Sequence, residues 1–91
     1  MQFDWDPEKA ALNEHWHEVS FEEACQAFED DRVVVLVDEA HSWREQRFNL
    51  IGAAGQRLLL VVYTERAGGA VIRLISPREA EAAERVIYYA S

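Results

Sequence analysis

Two arginines, Arg66 and Arg73, flank a Gly68-Gly69 pair. Paired glycines between two β-rich runs mark a hairpin turn, so these arginines sit on adjacent strands and can approach each other. A guanidinium stays charged at any relevant pH and presents a planar fork of donors that grips phosphate oxygens two at a time. Two of them on one sheet face, with no carboxylate between, make an anion site. The plainer alternative is that each pairs with an acid such as Glu65 and simply solvates.

Other residues fit the same chemistry. His17 falls between two helical patterns, and histidine suits proton transfer near neutral pH; otherwise it caps a helix end. Lys9 reaches a phosphate from the first helix, or pairs with Asp6. Arg78 falls in the first turn of an expected last helix, whose free amides can add to an anion site. Tyr88 and Tyr89 can stack on a base, or anchor the core or an interface as aromatics more often do. Trp5, Trp16 and Trp43 invite packing or partner contact. His15 and His17 form an H-x-H pair near Glu14 and Glu18, with Asp38 and His41 as a second pair. Zinc sites need three or four convergent ligands, so no metal is expected. No Walker loop, dinucleotide fingerprint or Gly-x-Ser-x-Gly elbow occurs, and no cofactor is expected.

The elements that must position these groups are legible in outline. Residues 2–5 read as a short strand or arm. Asp6-Pro7-Glu8-Lys9 opens a helix, with Asp6 as cap, Pro7 in the first turn and Glu8 complementing the dipole; it runs to about residue 15 or 16. Ser20 and Glu23 have capping-box spacing, and Phe21, Ala24, Cys25 and Phe28 repeat at helical spacing, up to the acids Glu29-Asp30-Asp31. Strands follow over 32–37, 46–51, 57–65 and 70–75. The third lacks alternation, which predicts burial on both faces. Ser76-Pro77-Arg78-Glu79 reads as the start of a last helix, with Ala80, Ala83, Val86 and Ile87 as its apolar stripe. Helices and strands kept in separate runs indicate an α+β class: two N-terminal helices, a four-stranded antiparallel sheet and a C-terminal helix. Helices would cover one sheet face and leave the other open to a ligand.

Ninety-one residues fit a single domain, 1–91. A composition of 49% hydrophobic and 29% charged residues is that of a globular chain and argues against disorder. The opening Met1-Gln2-Phe3-Asp4-Trp5-Asp6 is acidic and lacks the apolar stretch of a signal peptide. The longest apolar run, 58–63, is too short to span a bilayer. One cysteine, Cys25, fits a reducing compartment, so a cytoplasmic location is expected. A net charge of −8 disfavours indiscriminate binding to nucleic acid. The charge is uneven: residues 1–46 hold 13 acids and 3 bases, and residues 47–91 hold 4 acids and 6 bases. An anion site belongs in the second half, and the acidic first half suits a basic partner.

Three local patterns occur in order along nearly the whole chain. The first is Trp5-Asp6-Pro7-Glu8-Lys9, Asn13, His17 and Val19-Ser20-Phe21-Glu22-Glu23-Ala24. The second is Asp38, His41-Ser42, Glu45, Arg47-Phe48 and Gly52. The third is the 58–62 strand, Thr64-Glu65-Arg66, Ile72-Arg73-Leu74-Ile75-Ser76, Arg78, Ala80, Glu84, Arg85 and a terminal tyrosine. Together they resemble the BrnT family, ribonuclease toxins of type II toxin–antitoxin pairs. The resemblance implies a RelE-like fold and metal-independent RNA cleavage that inhibits translation. It implies neutralisation by a BrnA-like ribbon-helix-helix antitoxin, through which alone DNA is contacted. Carried onto this chain, it makes Arg66, Arg73, His17 and Lys9 the catalytic candidates and Arg78, Arg47 and Tyr88 the substrate-binding ones. The C-terminal helix, commonly rich in Arg and Lys in that family, carries Glu79, Glu81 and Glu84 here. With the acidic first half, that supports an alternative: a BrnT-like module that docks a basic partner protein without cleaving RNA.

Overall fold

The computed structural model describes residues 1–91. In chain order it has β1 (Gln2–Asp4), α1 (Pro7–His17), α2 (Phe21–Ala27), β2 (Val34–Val37), β3 (Arg47–Ala54), β4 (Arg57–Arg66), β5 (Val71–Glu79) and α3 (Ala82–Ala90). The two early helices start where their capping residues lie. The Asp6 carboxylate accepts from the Glu8 N–H at 2.9 Å, and Ser20 Oγ accepts from the Glu23 N–H at 3.0 Å. Glu18 ends α1 in the left-handed region, φ +58°, and its N–H donates back to the Glu14 carbonyl.

The sheet has five strands in the order β1-β5-β4-β3-β2. This corrects the expected four-stranded antiparallel sheet. β2, β3, β4 and β5 do form an antiparallel meander, but residues 2–4 add a parallel edge strand beside β5, pairing Gln2 with Val71 and Asp4 with Arg73. Parallel neighbours need a long crossover, and the whole chain between β1 and β5 supplies it. Such a pairing leaves no short-range trace in three residues.

The last helix is the second correction. Residues 76–79 do not open it; they prolong β5, and α3 begins at Ala82. Pro77 is tolerated in the strand because it faces the outer side of β5, beyond the end of β1. Its carbonyl there accepts from Asn13 Nδ2 of α1 at 2.8 Å, so no ladder bond is lost to the missing N–H. The helix start is instead marked by Glu84, whose carboxylate accepts from the Glu81 N–H at 2.8 Å. The later start turns the helix to a different face. Val86 and Ile87 of the expected stripe are exposed, Ala83 is exposed and Ala80 precedes the helix, while Tyr88 is the buried residue of α3.

Helix α2 packs on one sheet face, where Val19, Phe21, Ala24 and Ala27 meet Leu50, Leu59, Val61, Tyr63, Ile72 and Leu74; Trp5 and Ala10 pack against the same cluster. The approach is close: a Cβ on Gly52 of β3 would lie 2.7 Å from the Ala27 carbonyl oxygen, which only glycine permits. On the second face α3 covers a smaller cluster of Ile51, Leu58, Leu60 and Tyr88. β4 is thus buried on both sides, as its unbroken apolar run predicts. The second face is therefore not open throughout. It is covered at the end near the β3–β4 turn and uncovered, and polar, towards the β4–β5 turn. No helix is long and apolar enough to cross a membrane.

Candidate functional site

Residues directly opposite one another in a ladder share a face, and so do residues two apart on one strand. Arg47 pairs with Thr64, Thr64 with Arg73, and Arg73 with Asp4. These four form one row across the uncovered part of the second face, and Arg66 stands on the same side of β4 two residues beyond Thr64. By this register Arg66 and Arg73 stand on one face, as expected, but each has a carboxylate beside it, Glu45 and Asp4, as the plainer alternative held. Thr64, 2% exposed, forms the floor; its hydroxyl donates to the Gln46 carbonyl at 2.7 Å. Helix α1 brings Lys9 to the rim. The result is a concavity of about 120 Å³ lined by Lys9, Arg47, Arg66 and Arg73, with Asp6, Glu45, Leu74 and Ile75.

The carboxylates at this site hold the cations loosely. Arg66 lies 3.7 Å from Glu45 and Arg73 lies 3.3 Å from Asp4, and all four side chains keep access to water. Ion pairs of this kind contribute roughly 0–1 kcal/mol each, little enough for a phosphate to displace. Arg47 Nε is buried and has no hydrogen-bond partner. A buried donor left unmet costs about 1–3 kcal/mol, so the site holds donor capacity that its own chain does not use.

His17 ends α1 in an adjoining depression of about 220 Å³, with Lys9, Leu12, Asn13, Trp16 and Ile75. It shares Lys9 and Ile75 with the cationic concavity, so it lies beside that site rather than within it.

Arg78 and Tyr88 are drawn elsewhere. Arg78 gives Nη1 and Nη2 to the two Glu84 oxygens at 2.8 and 2.7 Å and lies 3.3 Å from Glu81. This fork-to-fork bond raises the arginine pKa and holds the Glu84 carboxyl below the usual range, against the opposite pull of burial. Tyr88 is packed under α3, near the β3–β4 turn, with its hydroxyl donating to Asp30. That bond, with burial, pushes the phenol up to about 12. Burial raises the Asp30 carboxyl, but the Tyr88 hydroxyl and the N–H groups of Ala53 (2.8 Å) and Arg32 (2.9 Å) outweigh it and hold the carboxyl low. Tyr88 is a structural tie at the far end of the sheet from the four cations, which removes it from the substrate-binding set.

His41, which stands in the second sequence pattern and was not among the catalytic candidates, takes a more suggestive place. Asp38 and His41 bracket a single 3-10 turn, and His41 Nδ1 lies 3.1 and 3.0 Å from the two Asp38 oxygens. The ring borders a cavity of about 560 Å³ with Trp43, Arg44, Glu45 and Arg47; Glu45 and Arg47 also border the cationic concavity. The i, i+3 spacing of an acid and a histidine was the available signal. No group of three or more His, Cys, Asp or Glu side chains gathers as a metal site, and the His15 ring stacks edge-on against Trp16 at 5.3 Å instead.

Residues 5–84 match the family described as the ribonuclease toxin BrnT of type II toxin–antitoxin systems. The chain belongs to the BrnT family. No curated protein matches it at significant similarity. Every residue that lines the cationic concavity falls inside the matched span, whereas Tyr88 lies beyond it. A BrnT toxin is a ribonuclease paired with an antitoxin, and four cations beside one sheet face can hold a phosphate.

Proposed function

We propose that the 91-residue chain acts as a single RelE-like domain, a cytoplasmic endoribonuclease that inhibits translation and is neutralised by a BrnA-like ribbon-helix-helix antitoxin. The observation that carries this reading is the convergence of Lys9, Arg47, Arg66 and Arg73 on one concavity. Attack of a ribose 2′-hydroxyl on the adjacent phosphorus builds negative charge on the non-bridging oxygens. Three guanidinium groups and an ammonium offset that charge without a metal, which is why metal-independent cleavage fits this site. The 2′-oxygen loses a proton and the leaving 5′-oxygen gains one; His17, beside Lys9, is placed to serve that exchange. DNA is reached only through the antitoxin.

The test is expression of the chain with and without the product of the neighbouring gene, followed by growth and RNA integrity. Arrest with RNA breakdown, relieved by the partner and abolished in the Arg66→Ala, Arg73→Ala double variant, is the expected result. Healthy growth at high soluble expression overturns it.

A second reading is favoured by the three carboxylates at the rim, Asp4, Asp6 and Glu45, and by the 13 acids of residues 1–46. In it the domain docks a basic partner and cuts nothing. Breakage of RNA by catalytic amounts of purified chain rejects that reading.

A further inference from the structure

We propose that His41, oriented by Asp38, is the general base of the ribonuclease site, taking the 2′-hydroxyl proton of an RNA strand laid across Arg47. The inference rests on the ribonuclease reading above and divides its proton transfers, giving the base's part to His41 and leaving the acid's part to His17.

His41 Nδ1 is occupied by Asp38 at 3.0 and 3.1 Å, which fixes the ring and leaves Nε2 as the free nitrogen. A carboxylate on Nδ1 selects the tautomer with its proton there, so Nε2 is the acceptor, and the same carboxylate stabilises the imidazolium once Nε2 has taken a proton. The Asp38 carboxylate is itself well covered, 15% exposed against 66% for His41, so the orienting group sits inside and the reactive group outside. The turn is pinned at its far end: Ser42 Oγ donates to the Asp38 carbonyl and accepts from the Arg47 N–H at 2.9 Å. One hydroxyl therefore ties the histidine turn to the strand that carries Arg47.

The charged groups that face His41 are Asp38 on its own turn, Arg44 and Glu45 on the following loop, and Arg47 on β3. The cavity they enclose with Trp43, about 560 Å³, is within the range that holds a nucleotide-sized ligand, roughly 300–1,000 Å³. Arg47 and Glu45 border both this cavity and the cationic one, and Lys9 borders the cationic one and the depression that holds His17, so a strand whose phosphate rests on the arginines would have the ribose bearing the attacking 2′-hydroxyl on the His41 side and the leaving 5′-oxygen on the His17 side.

The chemistry balances. His41 Nε2 takes the 2′-hydroxyl proton as the 2′-oxygen bonds to phosphorus. The bond from phosphorus to the 5′-oxygen breaks, and that oxygen takes a proton from the imidazolium of His17. The products are a 2′,3′-cyclic phosphate and a 5′-hydroxyl end, with one proton accepted and one donated.

The experiment follows cleavage of a synthetic RNA by the purified full chain against pH, both free in buffer and in a translating cell-free extract. Positioned proton transfer is worth about 10²–10⁴-fold. His41→Ala should therefore slow cleavage at least about 100-fold, abolish the acidic limb of the profile, and recover part of its rate with added imidazole. Asp38→Asn should slow cleavage about tenfold or more with the ring still present, and shift the ¹⁵N signals of the His41 imidazole towards the other tautomer. If His41→Ala keeps its rate within about threefold and its acidic limb, while Arg66→Ala, Arg73→Ala is dead, the His41 assignment falls and the ribonuclease reading stands. If the unaltered chain cuts RNA in neither format, both fall.

Discussion

At the α3 end of the second sheet face, Arg78 gives two short hydrogen bonds, 2.8 and 2.7 Å, to a carboxylate that is itself half-sheltered. At the β4–β5 turn end of the same face, Arg66 and Arg73 reach Glu45 and Asp4 only at 3.7 and 3.3 Å. Identical side chains have different work because of where their carboxylates are held. Glu84 is anchored in the first turn of a helix, where it also accepts the Glu81 N–H, so it meets Arg78 with little entropy left to lose. Glu45 is on a loop and Asp4 is on a three-residue edge strand. A tightly forked arginine holds structure together, whereas a loosely attended one remains available to an incoming anion.

The largest effect is expected where the arginines are loosely held. Replacing Arg66 and Arg73 together with Ala should lower RNA cleavage by about 10³-fold, while the free energy of unfolding in urea changes by less than about 0.5 kcal/mol. A large loss of stability in that variant would make these arginines structural and erase the distinction.

The reverse is expected at the tight end. Arg78→Ala should cost roughly 2 kcal/mol in urea unfolding and leave cleavage per folded molecule nearly unchanged. The pH dependence carries a sign. The folded pKa of Glu84 is lowered by Arg78, so its contribution is fully present above the unfolded value of about 4.3 and is lost as pH falls through the lower folded value. Unfolding curves between pH 5 and pH 2 should therefore flatten in Arg78→Ala relative to the unaltered chain.

Tyr88 offers a third measurement at the same end of the sheet. Tyr88→Phe should cost about 1 kcal/mol by removing the bond to Asp30. The folded phenol, pushed up to about 12, lies above the unfolded value of about 10. Its contribution is fully present below pH 10 and is lost as pH rises towards 12, a loss that the Phe variant should lack. The smallest effect concerns the loose pair itself. Glu45→Gln frees Arg66 and should tighten RNA binding about two- to fivefold in a salt-dependent titration; weaker binding would make Glu45 part of the site rather than a competitor.

Much of the scaffold is legible from neighbours in the chain. Asp6 and Ser20 cap helices, the Gly68-Gly69 pair turns a hairpin, and the unbroken apolar run of β4 is buried on both faces. The failures are instructive. Ser76-Pro77-Arg78-Glu79 has the composition of a helix start, and proline in a strand looks forbidden, yet Pro77 sits where the outer side of β5 meets α1 instead of another strand. Moving the helix start to Ala82 rotated its buried face onto Tyr88 and gave Arg78 to Glu84. That one shift removed Arg78 and Tyr88 from the candidate site. The pairing of β1 with β5, which carries Asp4 to Arg73, had no short-range signature at all.

The amino-acid sequence by itself determined the caps, the turns, the apolar periods and the ordered patterns by which the family is recognised, because each depends on residues a few positions apart. Only the tertiary structure decided which cations share a surface. Lys9 arrives from the first helix, Arg47 from the third strand, and Arg66 and Arg73 from either side of a turn, and their meeting depends on ladder register and on a crossover spanning most of the chain. A register change of a single residue would send every side chain of a strand to the opposite face. The composition of the site was therefore written locally, and its assembly was settled by long-range pairing.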